Sequence, residues 1–242
     1  MYAKHPELTL PADEATIWRY MDRWKFEDML GSSSLHFTRV DKLDDSLEGT
    51  WGPAGISNAY ASYGPEYLGQ LKYWESVFRT IGAVNCWHVN DSESQQMWDL
   101  YVRSQNGLVV QSTVSSLRKA VGPSHQTVYL GMMKYIDYEL DAFANCTETS
   151  FGNFMTFFNY KDTGFRHENE LRALILAMGT QSKPATPLNP VGTKVVVNIR
   201  DLIKGVYLQS GSGGTDLGEL QDLCSAHKLD ALITMSTLAS NT

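Results

Sequence analysis

The chain has 242 residues, 43% of them hydrophobic, which suffices for one sizeable core without a disulfide or structural metal and would crowd two domains. A formal net charge of −7 and a pI near 5.3 exclude a global positive field that gathers phosphate backbones or anionic lipid, so generic duplex nucleic acid is expected to bind weakly. No run of about 18 apolar residues occurs, and the N-terminal MYAKHPELTLPADE lacks the apolar centre of a signal peptide, so a cytoplasmic protein with no membrane partner is expected.

In chain order, Thr16 to Asp22 reads as a strand, Lys25 to Leu30 as a short helix stopped at Gly31, and Leu35 to Val40 as a second strand. Leu68, Leu71, Trp74 and Phe78 recur at three- and four-residue spacings and predict an amphipathic helix over Pro65 to Thr80. Ile81 to Val89 is a strand; Ser92 and Gln95 have the form of a capping box that opens a helix carrying Met97, Trp98 and Tyr101. Gly107 to Thr113 is the next strand. A short helix follows, stopped by Gly122 and Pro123, and Thr127 to Asp137 is again strand-like. Phe151, Phe154, Met155 and Phe158 stripe another helix, and Phe165 to Ala177 reads as a strand entering the core from a polar rim. Residues 180–192 form a surface loop; Val195 to Ile199 and Gly205 to Gln209 are strands, Asp216 to Lys228 is a helix, and Leu229 to Met235 closes the sheet. Strands and helices intermix without a strict βαβ rhythm, which predicts a single α+β domain, residues 1–242, with a mixed, largely antiparallel sheet flanked by helices. Cys86, Cys146 and Cys224 lack the paired spacing of a zinc site and read as buried free thiols.

Several blocks occur in a set order. I17-W-R-Y-M-D and L35-H-F-T-R-V-D-K-L-D-D-S-L-E-G49 are followed by A83-V-N-C-W-H88, M97-W-D-L-Y101, Y160-K161 and H167-E-N-E-L-R172. Over about residues 16–235 this order resembles domain of unknown function 2971, with Ser46, Leu47 and His88 standing where that pattern has Pro, Phe and Ser. The resemblance implies a fold neighbourhood and carries no agreed activity. It also implies that Tyr20, Asp45, Trp98, Lys161 and Glu170 converge on one cavity.

The sharpest chemical pattern is Glu168, Glu170 and Arg172, because alternate residues of a strand share a face about 6.5–7 Å apart. Leu174 and Leu176 continue that face as apolar, which puts the charges at the mouth of a core-facing surface; a solvated cross-strand charge ladder is the competing reading. A Glu-x-Glu strand after an aromatic-rich helix resembles the catalytic edge of ADP-ribosyltransferase folds. That resemblance implies an NAD or related nucleotide cofactor, with catalytic Glu170 stabilising an oxocarbenium-like transition state beside Glu168, and with Arg19, Tyr20, Trp98 and Tyr101 binding the cofactor. A second reading starts from Asp41, Asp44, Asp45 and Glu48. These hard oxygen ligands could join the Glu-x-Glu pair around Mg²⁺ or Mn²⁺ in a metal-dependent phosphodiesterase or nuclease, against the alternative of a capped turn. No basic cluster accompanies the acids, which counts against a nucleic-acid partner. Ser210 to Gly214, ahead of a helix, could cradle a phosphate, although Asp216 in the first turn would repel an anion. A non-catalytic ligand-sensing or partner-binding module is the third reading.

Overall fold

The structure is a computed structural model and describes residues 1–141, 157–178 and 186–238. Cys146 and the residues Phe151, Phe154 and Met155 of the striped segment lie outside the described residues; Phe158 is fully buried. The fold is α+β. Strands β1 (Tyr2–Ala3), β2 (Thr16–Met21), β3 (Ser34–Arg39), β4 (Gly82–Val89), β5 (Leu108–Thr113), β6 (Val128–Met132), β9 (Glu170–Leu176), β10 (Thr193–Val196), β11 (Gly205–Leu208) and β12 (Leu232–Met235) form a ten-stranded, largely antiparallel sheet. Two short strands, β7 (Lys134–Ile136) and β8 (Tyr160–Asp162), pair in parallel beside it.

The two faces of this sheet differ in a way that follows from side-chain alternation. On one face Ile17, Met21, Trp87, Val110, Leu171 and Ala173 meet helices α1 (Arg23–Ser32), α5 (Val114–Ala120), α6 (Ile199–Leu202) and α7 (Gly214–Ala226) in a continuous apolar core. The opposite face is apolar only at its two ends. At one end Val84 and Leu174 pack against Phe78 and Ile81 of helix α3 (Pro65–Ile81); at the other, Trp18, Tyr20 and Val109 pack against Met97 and Trp98 of helix α4 (Gln95–Tyr101). Between these ends the same face of β4 and β9 carries Cys86, His88, Glu170 and Arg172, and Cys86 stands opposite Arg172 and His88 opposite Glu170.

The strand β4 also sits at a fork. Its edge opposite β9 pairs with β2 at His88 and Val89, and with β3 at Val84 and Ala83. Cys86, midway between His88 and Val84, faces neither strand, and its carbonyl accepts instead from Arg19 Nη1 at 2.7 Å. Asn85 secures the other branch by donating to the His36 carbonyl at 2.8 Å.

Several expected boundaries move for identifiable reasons. Helix α1 runs through Gly31 and ends where Ser33 turns left-handed (φ 46°). Helix α4 is capped by Ser94, whose hydroxyl accepts from the Met97 amide, and not by Ser92. The run from Thr127 to Asp137 divides at Met133 between two sheets. Helix α2 (Gly52–Tyr63) has no counterpart in the expected elements. Asp216 accepts from the Gly213 amide at 2.9 Å and so occupies the N-terminus of α7, where a phosphate was considered. Among the described residues no helix is long and apolar enough to cross a membrane.

Candidate functional site

The charged stretch of β4 and β9 floors a cleft of about 710 Å³ that extends into the fork between β2 and β3. Tyr20, Asp45, Lys161 and Glu170 all line it, as the ordered sequence blocks imply. Trp98 does not. Its ring is buried edge-on against Tyr20 at 5.3 Å between centroids, and its indole N–H donates to Glu93, so it supports the wall and offers no stacking surface. Tyr101, three residues on, sits at the rim of the cleft and is 43% exposed; burial of its hydroxyl, and then the charge of Glu168, raise its pKa. Tyr20 lines the cleft with its hydroxyl engaged as acceptor from the Ser94 amide.

At the floor lies a network of buried ions. The Arg172 guanidinium, 1% exposed, donates to Glu170, to Glu48 and to the Phe158 carbonyl, each at 2.7 Å. Lys161 Nζ lies 2.7 Å from Glu168, 3.0 Å from Glu48 and 3.5 Å from Glu170. This arrangement excludes the solvated ladder, since its members are almost wholly buried. It also corrects the assignment of Glu168 to the strand. Thr163 to Glu168 form a 3-10 helix that ends at Asn169 in the left-handed region (φ 38°), and Asn169 clamps to Val89 through both its side chain and its carbonyl. The turn swings Glu168 back over the cluster, to Lys161, while its carbonyl meets His88.

The acidic loop is differently used. Asp44 is exposed, Glu48 is committed to Arg172 and Lys161, and Asp45 accepts from the Leu47 amide through one oxygen while the other is buried without a partner. Among the described residues, no group of three or more His, Cys, Asp or Glu side chains is arranged to hold a metal ion. The ion pairs of Glu48 are what remove it from a ligand set with Asp44 and Asp45. Asp41 pairs with Arg39 at the loop's far side.

Burial alone would raise the Glu170 carboxyl, but the charges of Arg172 and Lys161 outweigh it and hold the group at about 2, against an ordinary 4.5. A depressed folded-state pKa gives stability that is fully present above the unfolded value and is lost as pH falls from 4.5 towards about 2. Thermal melts of the wild type should therefore drop across that interval, and Glu170→Gln should flatten part of the drop; superimposable acid profiles would show that the carboxylate contributes nothing. The Cys86 thiol shares a hydrogen bond with Glu170, and burial followed by the Glu170 charge pushes its pKa up, so it stays protonated.

Arg19 is placed differently from Arg172. It lines the cleft at the fork, bonds the Cys86 carbonyl, and has no carboxylate within ion-pair distance among the described residues. His36, across the fork on β3, has its pKa lowered by burial and then by the Arg19 charge. The sequence points to Arg19, Tyr20, Tyr101, Glu168 and Glu170; Cys86 and His88, two apart on one strand, offer a nucleophile and a base only by proximity and read there as a core Cys with a polar neighbour, whereas the cleft takes in both. No protein-family model, no curated protein and no solved structure matches the chain.

Proposed function

We propose that this cleft binds a nucleotide of the NAD type and that Glu170 supports transfer of its ADP-ribosyl group. The observation that carries the reading is one cleft with two kinds of charge: a guanidinium with no carboxylate partner among the described residues, Arg19, and a carboxylate held ionised, Glu170. A guanidinium cannot shed its proton to escape burial, so an anion at Arg19 is the favourable complement, and the pyrophosphate of a nucleotide supplies it. A carboxylate fixed against a bond that breaks with developing positive charge stabilises the transition state more than the ground state. The volume falls within the range of about 300–1,000 Å³ usual for small-molecule sites. Trp24 and Tyr101 supply aromatic surface at the rim for a planar base.

Calorimetric titration with NAD, together with chromatographic detection of released nicotinamide, tests this directly. Wild-type protein should bind NAD, and Arg19→Gln should weaken binding by about 10- to 100-fold, the loss of one charge-assisted contact. Arg19 bonds the Cys86 carbonyl through Nη1, beyond the reach of a Gln amide, so the melt of the variant is recorded alongside to separate lost folding from lost binding. Affinity unchanged in Arg19→Gln would remove the phosphate contact from the reading. Binding without nicotinamide release would leave a ligand-sensing module.

A further inference from the structure

Resting on that reading, we infer that His88 is the proton acceptor for a hydroxyl that attacks the ribosyl carbon, which makes the second substrate an alcohol or water. Two features of the ring define its chemistry. His88 Nδ1 lies 2.6 Å from the carbonyl oxygen of Glu168. A carbonyl only accepts, so Nδ1 carries the hydrogen, and in the neutral ring Nε2 carries the lone pair. That Nε2 is buried and has no hydrogen-bond partner among the described residues. An unpaired buried nitrogen is destabilising, and a substrate hydroxyl removes that cost by donating to it.

The position is set by the sheet. His88 stands opposite Glu170 in the antiparallel β4–β9 register, on the same face and lining the same cleft. Directly opposed residues have side chains only about 4.5–5.5 Å apart at Cβ. The carboxylate and the imidazole therefore flank one spot, with the Tyr20 ring 6.5 Å from the imidazole as its third side. The ring lines the cleft and is partly exposed there.

The step balances without an added oxidant or reductant. The glycosidic C–N bond of the nicotinamide riboside breaks, and its electron pair leaves with neutral nicotinamide. The acceptor oxygen forms the new C–O bond, and its proton passes to His88 Nε2 and then to solvent. Glu170 stays ionised throughout and faces the positive charge that develops on the sugar.

His88→Ala and His88→Asn test the assignment against the wild type, with NAD as donor and water as acceptor. Asn can keep a donor towards the Glu168 carbonyl and so preserves the fold, but it offers no basic nitrogen. Both variants should bind NAD as the wild type does and release nicotinamide about 10²–10⁴-fold more slowly, the usual weight of a positioned general base. Added imidazole should restore part of the rate in His88→Ala and none in His88→Asn, which fills the space. Undiminished turnover in His88→Asn overturns the role of His88 and leaves the nucleotide reading standing. A wild-type protein that neither binds nor cleaves NAD overturns both.

Discussion

Arg172→Leu is expected to destabilise the protein by about 3–5 kcal/mol, the cost of breaking a buried ion pair from one side. The reason lies in what remains. With Arg172 gone, Glu170 and Glu48 keep Lys161 as their shared cation, and the Phe158 carbonyl loses its donor. Two carboxylates and one buried carbonyl then have too few partners in a region where Leu174 and Phe158 exclude water. For a chain of this size each kcal/mol is worth about 2–4 °C in Tm, so thermal and urea denaturation should both register the loss clearly. A change below about 1 kcal/mol, the usual worth of an exposed pair, would mean that the network is hydrated and contributes little.

On the proposed function, Glu170→Gln should lower nicotinamide release by about 10²–10³-fold, the range found when one electrostatic stabiliser is removed from an active site. The exchange preserves shape and deletes the charge, while Arg172 retains Glu48, so the fold should survive. On that same proposal binding should suffer less than turnover, because the carboxylate would act on charge that appears only as the bond breaks. Glu168→Gln should be milder in rate, since Glu168 reaches the site through Lys161 and through its backbone carbonyl to His88. Equal losses in affinity and rate for Glu170→Gln would assign the residue to ground-state binding.

Much of the scaffold was legible because periodicity is local. Of the stripe Leu68, Leu71, Trp74 and Phe78, helix α3 buries Leu71 and Phe78, half-buries Leu68 and leaves Trp74 exposed, while the alternation of Glu170, Arg172 and Leu174 reports a face that β9 buries throughout. The misreadings arise where a single backbone conformation or a tertiary choice decides. Glu168 looks like a strand residue by spacing, but Asn169 turns left-handed and removes it from the strand while returning it to the same cluster. Trp98 and Tyr101 share a helix face by spacing, yet α4 lies so that one is beneath Tyr20 and the other at the rim. Helix α2 opens with Gly52, Pro53 and Gly55, residues of low helix propensity of which only Pro53 suits a first helical turn, and it has no counterpart among the expected elements. Which strand β4 pairs with along each part of its edge depends on residues far away in the chain, so the fork, and with it the cleft, had no local signature.

The fork also determines how this site can change. A pocket framed by surface loops can be widened or re-lined by insertion without cost to the rest of the molecule. Here the walls are the diverging ladders of β2 and β3, both anchored to β4, and Arg19 of β2 bonds the Cys86 carbonyl of β4 between them. Widening the site requires rupture of ladder hydrogen bonds on β4, an interior strand paired on both edges, so amide exchange at Cys86 and its neighbours should report site opening and global unfolding as one event. A scaffold of this kind accepts new ligands through exchange of side chains on a frame that keeps its dimensions.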